Sequence, residues 1–167
     1  LSTNTFQAIS GFEVAITPSA TSSKVLLHLH INVALDNINQ SGGHNLPNIF
    51  GILKIRRFVT GNNNFVDAGV DTNSSNNNTQ NDVVFQNIST SDAGSSSEVR
   101  NKVYSMTLLD SPNTTNTIRY QVETRTGGGS QNAGKPTLYV NRTVLATNNL
   151  FHSPGISTIT AMEIDGS

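Results

Sequence analysis

The chain has 167 residues, 35% of them hydrophobic and 13% charged, with a formal net charge of -1. That length suits a single domain, and near-neutral charge excludes an electrostatic nucleic-acid binder, which needs a basic stripe. The absence of Cys excludes disulfide staples and thiolate metal sites, and no apolar run approaches the ~20 residues that would make insertion into a membrane as a helix possible.

Asn, Ser, Thr and Gly make up the balance, and these residues favour turns and strands over helices. Disorder ordinarily comes with high net charge. Here the charge is low and the apolar residues fall into regular runs, which points to a folded domain with long polar loops. The N-terminus lacks the basic start and apolar stretch of a signal peptide. Leu1 in place of Met leads to the expectation of a processed chain or part of a longer one.

In chain order, residues 11–17 alternate Phe12, Val14 and Ile16 against Glu13, Ala15 and Thr17, the pattern of a half-buried strand. Pro18 and the hydroxyls of residues 19–23 form the turn that follows. Residues 24–35 carry the strongest strand pattern. Val25, Leu27, Leu29, Ile31 and Val33 share one face, and Leu26, His28, His30 and Asn32 share the other. The first face reads as core, the second as a surface for water or a partner chain. Residues 36–47 are a loop broken by Gly42, Gly43 and Pro47.

Strand character resumes over 49–59, where Phe50, Ile52, Lys54 and Arg56 oppose Gly51, Leu53, Ile55 and Arg57. The cationic cluster Lys54, Arg56 and Arg57 reads as a solvated strand face. Gly61, Asn62, Asn63 and Asn64 suit a hairpin tip, because Gly and Asn tolerate positive φ. A short strand at 65–70, a low-complexity exposed loop at 71–82 and a second short strand at 83–88 come next.

After a polar loop, residues 99–109 alternate less cleanly but are rich enough in β-branched residues for a strand. Asp110-Ser111-Pro112-Asn113 is a type I turn signature. Residues 118–126 form a clear strand with Ile118, Tyr120 and Val122 inward. Gly127, Gly128 and Gly129 open a loop reaching Pro136, and 137–145 and 156–164 are the last strands. The sum is an all-β chain, an antiparallel β-sandwich of jelly-roll-like form with about eight to ten strands spanning residues 1–167 as one domain.

Few constellations point to chemistry. His28-Leu29-His30 has metal-ligand spacing, since alternate strand residues share a face. Closing such a site needs His44, His152, a carboxylate, or symmetry-related copies of the pair. Most carboxylates sit at turns, and the strand residues Glu123 and Glu163 lie in no glycosidase motif. No Gly-x-Ser-x-Gly elbow occurs, and the Gly127–129 run is followed by neither a Lys-Ser/Thr pair nor a helix. No cofactor motif is present, and the reading is non-enzymatic. The amide- and hydroxyl-rich loops suit carbohydrate recognition, with Asn62, Asn63, Asn64, Asn76, Asn77, Asn78, Gly127, Gly128 and Gly129 as candidate ligand-binding residues.

Four stretches carry a resemblance: Thr17-Pro18-Ser19 leading to Ser23-Lys24 and a hydrophobic strand; Asp110-Ser111-Pro112 before the Tyr120 strand; Tyr139-Val140-Asn141-Arg142; and Ser157-Thr158-Ile159-Thr160-Ala161-Met162-Glu163-Ile164. Together they resemble a recurrent β-domain of tailed-bacteriophage virion proteins, found in fibres and appendages of marine and cyanobacterial phages. The resemblance implies the C-terminal head of a longer or multi-chain appendage, with Asp165-Gly166-Ser167 fitting a natural C-terminus. It implies a virion location, a homotrimer, contacts with other virion structural proteins, and host-surface attachment through glycans. Capsid decoration or a capsid fibre is the alternative, and a polysaccharide-degrading tailspike component the second. In some phage fibres His-x-His pairs surround a threefold axis and hold a metal, which places His28 and His30 as ligands at a symmetry axis. The segments 38–46 and 62–81 depart from the shared pattern.

Overall fold

The computed structural model describes residues 5–36, 50–61, 65–67, 86–89, 101–127, 137–142 and 155–166. Among them lie nine strands and no helix: β1 (Gln7–Ile16), β2 (Lys24–Asp36), β3 (Phe50–Val59), β4 (Phe65–Asp67), β5 (Gln86–Ser89), β6 (Asn101–Asp110), β7 (Ile118–Gly127), β8 (Thr137–Val140) and β9 (Thr158–Ile164). All the pairings are antiparallel. The first sheet runs β1-β7-β3-β4, with β5 also on β3, and the second runs β6-β2-β8, with β9 also on β2.

The two sheets bury a common apolar core, as in a β-sandwich. Period-2 alternation explains its composition. Val25, Leu27, Leu29, Ile31 and Val33 of β2 are fully buried, and they face Leu53, Ile55, Ile118 and Val122 of the first sheet. On β6 the inward residues are Tyr104, Met106 and Leu108, which pack on the core, while Val103 and Leu109 stay exposed.

Strand β1 departs from simple alternation. Its register on β7 shifts between Ala8 and Glu13, so that Ile9 and Phe12, three residues apart, both face the core. Gly11 lies inside that bulge at φ 71, a left-handed conformation that costs a β-carbon-bearing residue about 1–2 kcal/mol. Strand β8 stops at Val140, where Asn141 turns left-handed (φ 59); residues 143–145 of the expected segment lie outside the described residues. The short middle strand is seen at Gln86–Ser89; residues 83–85, included in the expected segment, lie outside the described residues. Strands β3 and β4 pair as the expected hairpin, Phe58 opposite Phe65, although residues 62–64 at its tip are likewise outside.

The connections sort by end. Residues 17–23 link β1 to β2 and residues 111–117 link β6 to β7. Both are arches between the sheets, and both lie at the end where Ile16, Ile118 and Asp110 sit. The strand ends flanking segments 37–49, 90–100 and 128–136 lie at the opposite end, where Phe50 pairs with Gly127 and with Ser89, and Asp36 with Thr137.

Candidate functional site

The arch end is knitted together by buried polar groups. Asp110 closes β6 in one sheet, and Arg57 and Tyr120 lie opposite each other on β3 and β7 in the other. Arg57 Nη1 donates to both Asp110 carboxylate oxygens at 2.8 Å, and Tyr120 Oη donates to Oδ2 at 2.7 Å. All three are buried, with Tyr120 fully so. The Tyr120 phenol is pushed far above the ordinary tyrosine range, chiefly by its burial and then by the Asp110 charge and hydrogen bond. This cluster is a polar rivet between the sheets.

The cationic run on β3 therefore is not a solvated face. Parity turns Arg57 inward to Asp110. Lys54, on the outer side, is only 3% exposed, with Phe6 lying 4.0 Å from its Nζ. Phe6 also stacks on Arg125 at 4.8 Å. Arg56 pairs with Glu123 at 3.3 Å, and Glu13 receives Gln121 at 3.0 Å beside Arg119 at 3.8 Å. The outer face of the first sheet is thus a woven set of opposite charges rather than a basic stripe.

Further bonds close the same end. Ser19 donates its backbone N–H and its hydroxyl to Glu163 Oε1, each at 2.7 Å, tying the first arch to β9. Those bonds, the Ser19 hydroxyl foremost, hold the Glu163 carboxyl below its ordinary range. Thr17 and Thr117 share a hydroxyl bond at 2.8 Å that joins the two arches, and Thr60 N–H reaches Thr117 O at 2.9 Å.

A second polar stitch lies where β8 and β9 meet end to end along β2. Asn141 N–H donates to Asn32 O at 3.0 Å, Asn32 N–H to Ser157 Oγ at 2.9 Å, and Ser157 Oγ to Asn141 Oδ1. Gly155 leaves no room for a side chain here, since an added Cβ would lie 2.0 Å from Asn32 Nδ2. The sequence stretches that carried the resemblance thus converge on these two polar joints.

The outer face of the second sheet is different. Strand β2 runs down its middle, and register sets out its rows: Leu26 between Leu109 and Met162, His28 between Thr107 and Thr160, His30 between Ser105 and Thr158, and Asn32 beside Val103. The rows from Leu26 to Asn32 carry no charged side chain, and Lys24 lies opposite Ile164 on the same face. Val103, Leu109, Met162 and Ile164 are exposed here, from 42% to 53%, an apolar patch on an otherwise hydroxyl-rich surface. His28 and His30 do share this face, as expected, and His30 Nδ1 lies 3.1 Å from Ser105 Oγ. Among the described residues no group of three or more metal-ligand side chains gathers anywhere.

The candidate loop residues divide. Asn62, Asn63, Asn64, Asn76, Asn77, Asn78, Gly128 and Gly129 lie outside the described residues, as do His44 and His152. Gly127 ends β7 at the end away from the arches, whereas Gly61 and Phe65, which bracket residues 62–64, lie at the arch end. The frame therefore does not bring those two anchors together. Sequence reasoning missed the rivet, although a Tyr on a core face signals a buried hydroxyl in need of an acceptor. No protein-family model, curated protein or solved structure matches this chain.

Proposed function

We propose that the chain is a non-enzymatic head domain of a phage virion appendage that attaches to host-surface glycan. The observation that carries this reading is the asymmetry of the sandwich. One end is sealed by two hydrogen-bonded arches and the buried Arg57–Asp110–Tyr120 cluster. The other end anchors three polar segments, 37–49, 90–100 and 128–136, rich in the amide and hydroxyl groups that pair with sugar hydroxyls. A frame that presents polar connecting segments at one end is a recurrent solution for recognition.

The fold reading extends to a jelly roll. Strand β1 pairs with β7 and β2 with β6, so the two sheet-crossing arches run side by side and antiparallel. That nesting is how a jelly roll winds one long paired ribbon across two sheets. Assembly is as a homotrimer through the partly apolar outer face of the second sheet. Sedimentation at micromolar concentration tests it: a trimer is expected, and a monomer overturns the assembly.

Attachment is tested by saturable binding of the purified chain to host cells and to their envelope polysaccharide, with no oligosaccharide released. Replacing segments 37–49 and 128–136 by Gly-Ser linkers of equal length should abolish binding. An exchange of 62–81 tests the candidate residues Asn62, Asn63, Asn64, Asn76, Asn77 and Asn78 in the same assay. Recovery of the protein on capsids with no affinity for cells would overturn attachment in favour of decoration.

A further inference from the structure

We infer that β6 is an interaction edge to which a second copy of this chain adds its own β6, antiparallel about a two-fold axis, so that two second sheets become one. Among the described residues β6 pairs only with β2, which leaves its other side a row of backbone N–H and C=O groups along ten residues. An edge of that kind is a template for another strand unless something blunts it.

The other edges among the described residues are blunted. Strand β1 is bent by the bulge at Gly11 and carries Glu13. The far edge of the second sheet is divided between the short strands β8 and β9, and β8 stops at left-handed Asn141. Opposite β1, the first sheet ends in β4 and β5, of three and four residues. Strand β6 has no such device. It contains neither Pro nor Gly and keeps an unbroken register on β2 from Asn101 to Asp110. The core is also unfinished along it. Leu27, Leu29 and Ile31 of β2 are fully buried, whereas their cross-strand partners Leu108, Met106 and Tyr104 are only half-buried. On the outer face Val103 and Leu109 are 53% and 49% exposed.

The occupant follows from self-complementarity. Pairing centred on Met106 sets Val103 opposite Leu109 and Ser105 opposite Thr107 on the outer face, and Tyr104 opposite Leu108 on the inner face. Apolar residues meet apolar ones and hydroxyls meet hydroxyls. Lys102 falls opposite Asp110, so no like charges face each other. A two-fold axis makes each of these pairs twice and extends the core across the seam. The edge lies beside the outer face of the sheet, so the pairing stands whether or not trimers form through that face or the chain attaches to glycan. Where trimers do form, it joins one to the next.

Sedimentation equilibrium of the intact chain at micromolar concentration tests the pairing. Even-numbered association is expected: dimers, or hexamers where face packing adds trimers. Val103→Lys/Leu109→Lys sets like charges opposite each other and should weaken the two-fold association about tenfold or more. Val103→Lys/Leu109→Glu sets opposite charges in the same register and should retain it. Both positions are half exposed, so thermal melting of either variant should stay close to that of the parent. The chain has no Cys, which allows a second measurement. Chains carrying Ser105→Cys, mixed with chains carrying Thr107→Cys, should be joined by a short bifunctional thiol reagent, and Glu13→Cys chains should not. A monomer or a trimer without further association overturns the pairing. Equal loss of two-fold association in the two charge variants does so as well, as does linking through Glu13→Cys as readily as through β6.

Discussion

Replacing Asp110 by Ala tests whether the rivet between the sheets holds the frame. Asp110 and Arg57 side chains are 3% and 9% exposed, so removing the carboxylate strands a guanidinium and the Tyr120 hydroxyl in the interior. Breaking a buried pair in this way costs about 3–5 kcal/mol, because the remaining charge is left uncompensated. For a domain of this size about 2–4 °C of Tm accompanies each kcal/mol, so a fall of roughly 6–20 °C is expected. Urea unfolding with Arg57→Met, Asp110→Ala and the double variant forms the cycle. Because the double variant removes both charges, it should be less destabilised than the sum of the singles by at least about 1 kcal/mol. Asp110→Asn, which keeps acceptor capacity toward Tyr120, should fall between parent and Ala. A loss below about 1 kcal/mol for Asp110→Ala, or strict additivity in the cycle, would mean that the buried cluster does not hold the two sheets together.

Other consequences follow from the same geometry. Because the folded state raises the Tyr120 pKa, its contribution is complete below the unfolded value of about 10 and declines as pH rises beyond it. Tyr120→Phe should therefore flatten the alkaline limb of a stability–pH profile. Glu163 works in the opposite sense: its pKa is lowered, so its contribution is present above the ordinary carboxylate value of about 4.3 and fades as pH falls. Denaturation of Glu163→Gln should accordingly depend less on pH between 6 and 3 than that of the parent. Gly155→Ala would drive a Cβ to 2.6 Å from Asn32 Cβ, too near the backbone for the Asn to swing aside. A loss of about 1–3 kcal/mol in chemical denaturation is expected from such overpacking. Leu29→Ala, at a fully buried position, should cost about 2–5 kcal/mol by the same measurement.

Much of the frame was legible because period-2 patterning is local. The alternation in β2 alone placed Val25, Leu27, Leu29, Ile31 and Val33 inward, and that in β7 placed Ile118, Tyr120 and Val122. Local information failed where a partner came from far along the chain. Parity put Arg57 with Leu53 and Ile55, yet its charge argued for solvent; the deciding carboxylate, Asp110, lies 53 residues away. Turn chemistry located the reversals at Pro18 and Pro112 without revealing that both cross between sheets, since the same residues serve hairpins and arches. The Gly11 bulge was hidden because one left-handed glycine resets the phase, bringing Ile9 and Phe12 to one face. The shared face of His28 and His30 was visible in their spacing, whereas Ser105 enters only through cross-strand register.

The most direct test of host-surface attachment is the binding isotherm of the purified chain on host envelope polysaccharide, measured beside a variant whose 37–49 and 128–136 segments are Gly-Ser linkers. Saturable binding by the parent, and none by the variant at unchanged Tm, is the expected result. Equal binding by both, or none by either on a polysaccharide that supports infection, would contradict it.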